Sequence, residues 1–189
     1  MNTLFPIFVK LEQLQVLLVG AGPVGLEKLQ ALFRNAPKAN VLIVAEHIIP
    51  EVTAYIADKD TVHFERRPFR ETDLEGKDLV IVASNNSSLN EEIRTMTKSH
   101  NILLNVADKP ELCDFYLGSI VQKGNLKIGI STNGKSPTIA KRLKEFLNDL
   151  LPEEIDETLE LMNELRLQLK GDIKMKIKKL NEHTRSLIS

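Results

Sequence analysis

Apolar runs recur along the first half of the chain, separated by stretches whose apolar positions repeat at helical spacing. The runs are Val16-Leu17-Leu18-Val19, Val41-Leu42-Ile43-Val44-Ala45, Leu79-Val80-Ile81-Val82-Ala83 and Ile102-Leu103-Leu104-Asn105-Val106. A strand buried on both faces of a parallel sheet needs near-continuous apolar residues of this kind. Between the first two runs, Gly25, Leu29, Leu32 and Phe33 fall at i, i+4, i+7 and i+8, which predicts a helix; it stops at Asn35-Ala36-Pro37, where proline discourages continuation. Pro50 opens a second helix through Ala57 from its first position, and Leu89, Ile93 and Met96 mark a third. Residues 61–65 alternate in polarity, as a strand near a sheet edge does, and residues 6–11 read as a short edge strand with Pro6 where a missing donor is harmless. Strands alternating with helices predict an α/β doubly wound parallel sheet, with its ligand at the carboxyl ends of the strands.

The pattern changes after Asp108. Residues 119–123 and 126–131 predict two strands joined by Gly124-Asn125, a pair suited to a hairpin turn. Ser136 and Pro137 then take the N-cap and first positions of a helix. Pro152 opens a further helix bearing Ile155, Leu159, Met162 and Leu169; Gly171 breaks it before a last helix with Ile173, Ile177 and Leu180. An isolated hairpin is marginal, so this module is expected to pair with something else, a second subunit being the obvious candidate.

The first apolar run passes directly into Gly20-Ala21-Gly22-Pro23-Val24-Gly25, a G-x-G-x-x-G turn that opens a helix. Such glycines bring bare backbone amides up to a pyrophosphate, and the helix N-terminus favours its charge. Alternatively the glycines serve helix–strand packing alone. Glu46 ends the second run at about the 20-residue offset of an acid that accepts from ribose hydroxyls, or is a surface acid. One such carboxylate favours NAD over NADP. Ser84, Asn85, Asn105 and Asp108 all fall at strand ends, where function is expected. Asp108 is a candidate catalytic carboxylate or a turn aspartate.

Composition narrows the classes. With 42% hydrophobic and 27% charged residues the chain is globular, and a net charge of −1 provides no basic field for nucleic acid or membrane. The single cysteine, Cys113, excludes an internal disulfide and reads as a small packing residue in a reducing, cytoplasmic protein. The first ten residues lack a basic leader segment, and no apolar run nears the roughly 18 residues of a membrane span. His63, His100 and His183 have no metal-ligand spacing, so no metal is expected. Lys174, Lys176, Lys178 and Lys179 form a basic strip, read as a solvated helix face.

Three stretches are more specific: residues 19–25 with Lys28; Asn105-Val106-Ala107-Asp108-Lys109-Pro110-Glu111-Leu112-Cys113-Asp114-Phe115; and Ile128-Gly129-Ile130-Ser131-Thr132-Asn133-Gly134-Lys135-Ser136-Pro137. In this order and spacing the chain resembles the precorrin-2 dehydrogenase family, including the N-terminal module of siroheme synthase. It is similar to the stand-alone form in lacking a methyltransferase domain. The resemblance implies a Rossmann domain over residues 1–112, a dimerisation hairpin and helix over 113–150, and a helical module over 151–189. It implies NAD-dependent oxidation of precorrin-2 to sirohydrochlorin, for siroheme or cobalamin, by a homodimer. Pro23, Val24, Glu46 and His47 match cofactor contacts, Asp108 the family's catalytic aspartate, and Ser131 a serine at the tetrapyrrole pocket. Because that substrate is rich in carboxylates, Lys135 and Arg142 are further candidates to bind it, and Arg66, Arg67 and Arg70 form another cationic group. Two positions depart from the family: Ser84-Asn85-Asn86 stands in place of Thr-Asp-Asp, and Gly118 stands where proline is common, which is expected to loosen the loop into the hairpin.

Two alternatives accompany this reading. A bifunctional enzyme would also insert ferrous iron, with Asp108 taking pyrrole protons. A non-enzymatic NAD-sensing module would need no specific polar stretches at residues 108–115 and 131–137, so those stretches speak against it.

Overall fold

The computed structural model describes residues 2–168 together with residues 175, 177 and 178. Leu169, the break at Gly171, the last helix with Ile173 and Leu180, His183, and Lys174, Lys176 and Lys179 of the basic strip lie outside the described residues. Two compact units emerge, Pro6–Leu117 and a second that holds the described residues from Gly118 onward with those before Pro6.

The first unit is organised around β1 (Gln15–Ala21). It lies at the centre of a parallel sheet with β2 (Asn40–Ile48), β3 (Val62–Glu65), β4 (Leu79–Val82) and β5 (Leu103–Val106), in the order β3-β2-β1-β4-β5. The apolar runs are buried on both faces, as their unbroken character requires. Val16, Leu18, Ile43 and Ile81 pack with Leu29 of α1 (Pro23–Asn35) and Val52 of α2 (Pro50–Ile56). Leu17, Val19, Val80 and Leu104 pack on the other face with Ile93 of α3 (Ser87–Ser99). Leu17, Leu18, Ile43, Ile81 and Leu104 are wholly buried, and each contributes about 1.5–3 kcal/mol relative to an exposed side chain. The strand order reverses between β1 and β4, which opens a crevice at their carboxyl ends.

Three departures from the sequence pattern have local causes. The edge strand expected over residues 6–11 does not form: the segment is irregular up to a 3-10 turn at Leu11–Gln13, and Phe5, Ile7, Phe8 and Val9 are exposed. Neither sheet edge, β3 or β5, ladders with it, and an extended segment without a neighbour is not a strand. The second strand runs on past Ala45, and its register with β1 slips: Val19 opposes Val44, but Ala21 opposes Ile48. Residues 45–47 therefore bulge from the ladder. Finally, the buried face of α3 consists of Asn90, Ile93 and Thr97, while Leu89 and Met96 are half-buried.

In the second unit β6 (Ser119–Lys123) and β7 (Leu126–Ile130) pair antiparallel through Gly124-Asn125, with Gly124 at φ +52°. The hairpin packs on α4 (Pro137–Leu150) through Val121, Ile130 and Ala140. Ser136 caps α4, its Oγ accepting the Ile139 N–H at 3.2 Å, with Pro137 at the first position. Asp156, in the first turn of α5 (Ile155–Gln168), accepts from the Asn125 backbone N–H at 2.6 Å and from its side-chain amide at 3.0 Å, which fixes the turn. Gly118 fits closely rather than loosely: a Cβ there would lie 2.7 Å from the Ile130 carbonyl oxygen. Among the described residues, no helix is long and apolar enough to cross a membrane.

Candidate functional site

The glycine turn divides its labour. Gly20 has φ +103°, and a Cβ there would collide with the Ala83 carbonyl; a Cβ at Gly25 would collide with the Gly20 carbonyl. These two glycines hold the turn tightly between β1, β4 and α1. Gly22 differs, because a Cβ there would meet nothing within 4 Å. It caps α1 and leaves open space in front of the helix N-terminus. Pro23 has no N–H to give, and the Leu26 N–H closes onto the Gly22 carbonyl at 3.0 Å, so the donors facing forward are the amides of Val24 and Gly25. An open cradle with forward amides and a positive dipole end suits a pyrophosphate. These residues fit a dinucleotide.

Beside the turn, a cavity of about 140 Å³ is lined by Val24, Ala83, Ser84, Asn85, Ser87, Asn90, Ala107, Asp108 and Lys109. It brings together four of the residues singled out from the sequence: Val24, Ser84, Asn85 and Asp108. At the crevice between β1, β4 and β5, its volume suits one ring-sized group, well below the roughly 300–1,000 Å³ of a complete ligand pocket. Its β4 side is built by the Ser84-Asn85-Asn86 departure: the Asn86 N–H donates to Ser84 Oγ (3.0 Å), and Asn86 Oδ1 caps α3 by accepting from the Leu89 N–H (3.2 Å). Asparagine thus does the capping an aspartate would do.

Asp108 sits at the third position of a turn closed by the Lys109 N–H on the Val106 carbonyl (3.3 Å), with φ +58°. Aspartate and asparagine are the side-chain-bearing residues that take this region most readily. The turn is held from beyond by the returning segment along β5. The Val106 N–H donates to Cys113 Sγ (3.2 Å), the Leu104 N–H to Asp114 Oδ2 (3.0 Å), and the Asp114 N–H to the Leu104 carbonyl (2.8 Å). Burial pushes the Cys113 thiol up, as expected of a packing cysteine. Burial also opposes the charged form of Asp114, yet Arg94 at 2.6 Å holds its carboxyl below the usual range. Asn105 belongs to this clamp: buried, it donates to the Phe115 carbonyl at 2.9 Å and does not line the cavity.

Across β1 from the cavity, Glu46 and His47 lie exposed on the bulge of β2. Arg66 Nε donates to the Glu46 carbonyl (3.3 Å), and the Arg67 N–H to the Ala45 carbonyl (3.1 Å). Arg67 is committed elsewhere: its guanidinium grips both carboxylate oxygens of Asp73 (2.8 and 2.5 Å) and bonds Glu65. It is therefore not a free cation for substrate. In the second unit, Ser131, Lys135 and Arg142 are exposed, with Ser131 Oγ accepting from the Asn133 N–H at 3.2 Å. A larger open hollow of about 750 Å³, lined by Phe33, Tyr55 and Lys59 among others, lies at the amino ends of the strands and gathers none of the candidate residues. Among the described residues, no group of three or more His, Cys, Asp and Glu is placed to hold a metal ion. The sequence reading missed Asn90; its signal was an amide in step with Ile93 and Thr97 on an otherwise buried face.

Residues 7–119 match the family model described as putative NAD(P)-binding, and residues 123–150 match the one described as sirohaem biosynthesis protein, central. The chain belongs to the family that the first model describes, putative NAD(P)-binding proteins, and carries the sirohaem biosynthesis central segment behind it. Its cofactor is a nicotinamide dinucleotide. Among its relatives, the siroheme synthase of Psychrobacter cryohalolentis is 37% identical over 94% of this chain and 32% of its own length. That of Thioalkalivibrio sulfidiphilus is 32% identical over 89% of this chain and 34% of its own length. The chain thus spans about a third of these relatives. A solved structure, SirC, a precorrin-2 dehydrogenase, shares the fold with a TM-score of 0.75 over 95% of this chain and 88% of its own, at 23% identity.

Proposed function

We propose that the chain is an NAD-dependent dehydrogenase that oxidises precorrin-2 to sirohydrochlorin, with Asp108 as its catalytic carboxylate. The observation that carries this reading is the shared cavity, in which Asp108 faces the same space as Val24 of the glycine turn and Ser84 and Asn85 of the β4 end. The names of the relatives and of the solved neighbour support the substrate class.

The bound nicotinamide supplies a hydride acceptor. The chain's own residues do the rest. The amides of Val24 and Gly25 hold the pyrophosphate. Glu46 accepts from the adenosine ribose and repels a 2′-phosphate, which favours NAD over NADP. Asp108 takes the proton that leaves as the hydride is lost; a positioned general base contributes roughly 10²–10⁴-fold. Ser131, Lys135 and Arg142, all exposed on the second unit, are assigned to the carboxylates of the tetrapyrrole. The molecule works as a cytoplasmic homodimer. Support for the dimer comes from α4, where Ile139, Leu143, Phe146 and Leu150 repeat at helical spacing and are all exposed.

The test is anaerobic incubation of the protein with precorrin-2 and NAD, following NADH and tetrapyrrole absorbance together. Equal yields of NADH and sirohydrochlorin are expected; no NADH with intact precorrin-2 would overturn the proposal. Ferrous iron added to sirohydrochlorin in the same cuvette tests whether Asp108 also serves chelation.

A further inference from the structure

Asn90 presents an anomaly that packing does not explain. It is 2% exposed, on the buried face of α3, yet it lines the cavity beside Asp108. Its Nδ2 donates to the Ser84 carbonyl at 3.2 Å, which fixes the amide's orientation, since the flipped amide would set two acceptors against each other. Its Oδ1 is then left buried without a hydrogen-bond partner, the only such side-chain atom among the described residues. Buried acceptors are normally paired, and an unpaired one at a ligand cavity points to a donor that arrives with the ligand.

The chemistry of the ligand narrows that donor. Pyrophosphate oxygens carry no N–H or O–H and cannot serve an acceptor. The adenosine half belongs at Glu46 on the β2 side of β1, whereas the cavity lies on its β4 side. Val24 marks the pyrophosphate end of the cavity, and Asn90 is its most buried polar side chain, with Asn85, Ser87 and Asp108 all exposed. What reaches such a closed end is the terminal group of the dinucleotide. Resting on the dehydrogenase reading above, we propose that Asn90 Oδ1 accepts the carboxamide N–H of the bound nicotinamide and so sets the ring's orientation toward Asp108. Because Oδ1 is covered, the cavity wall has to give slightly for the ring to reach it; Asn85, Ser87 and Asp108 are exposed side chains in that wall. A buried acceptor of this kind rejects a ligand that offers a second acceptor in the donor's place.

The experiment is calorimetric titration of the full chain with NAD, with nicotinic acid adenine dinucleotide, whose carboxylate lacks the N–H, and with ADP-ribose, which lacks the ring. The wild type is expected to prefer NAD to the acid analogue by about tenfold or more. In Asn90→Ala that preference falls to within about threefold, while ADP-ribose binds as before. A wild type without preference overturns the proposal before any variant is made. A preference unchanged in Asn90→Ala assigns the discrimination to repulsion by Asp108 and also overturns it, as does an equal loss for all three ligands, which would mean that Asn90 merely pins the Ser84 loop. If the wild type binds none of the three, the dinucleotide reading itself fails and this proposal with it.

Discussion

At the scale of single residues, the account predicts effects that differ sharply between neighbours. Gly22 and Gly25 belong to one motif, yet only Gly25 lacks room for a Cβ. Gly22→Ala is therefore expected to melt within a few degrees of wild type while losing dinucleotide affinity, because the added methyl occupies the space in front of the α1 amides. Gly25→Ala is expected to lower the melting temperature itself. Thermal melts with and without NAD separate the two, and equal melting losses would contradict the division. If Glu46 accepts from the adenosine ribose as proposed, Glu46→Ala is expected to weaken NAD by about tenfold and leave NADP little changed, read by titration. An unchanged ratio would remove Glu46 from the ribose. Motif and offset single these residues out as candidates in the sequence. They do not single out Asn90, because nothing in a helical pattern tells an amide that is satisfied by packing from one that is left waiting for a ligand.

At the scale of elements, two carboxylates tie loops to the sheet. Asp73 is buried, which opposes its charge, yet the Arg67 guanidinium and the Arg70 N–H at 2.8 Å hold its carboxyl below the usual range. Asp114, held low by Arg94, closes the returning segment onto β5. Both folded values lie below the unfolded ones, so their contribution is present above the ordinary aspartate value of about 4 and is lost as pH falls through the lower folded values. Asp73→Asn is expected to cost about 2 kcal/mol at neutral pH, since it removes the charge from the buried Arg67 pair and leaves Glu65 as the carboxylate bonded to Arg67, and to flatten the acid limb of stability. Denaturant titrations between pH 3 and 7 measure both, and an unaltered acid limb would contradict the assignment. The helices and buried strands could be read directly from their apolar spacing. The N-terminal segment could not, because an extended apolar stretch becomes a strand only where an edge receives it. Nor could the bulge at Glu46, which is set by the mismatch in length between β1 and β2 across the ladder.

At the scale of the whole molecule, the second unit leaves an apolar stripe on α4, with Phe146 60% exposed. If the stripe joins two copies, Phe146→Glu is expected to shift the sedimenting species from dimer to monomer; a wild type that sediments as a monomer would contradict the assembly. The parallel sheet followed from the alternation of strands and helices, and with it the expectation of a candidate site at the carboxyl ends of the strands; the strand order did not follow. The membership of that site was less legible: Ser84, Asn85 and Asp108 converge on the cavity, whereas Asn105, at the end of the same series of strands, turns to brace the segment behind it. The central claim is that the carboxylate of Asp108 acts on substrate rather than shaping its turn. Asp108→Asn keeps the side-chain size and the tolerance for positive φ while removing the charge, so NAD affinity and precorrin-2 turnover measured side by side on this variant test the claim most directly. The account predicts wild-type NAD affinity with turnover down by roughly 10²–10⁴-fold; full turnover in that variant would contradict it.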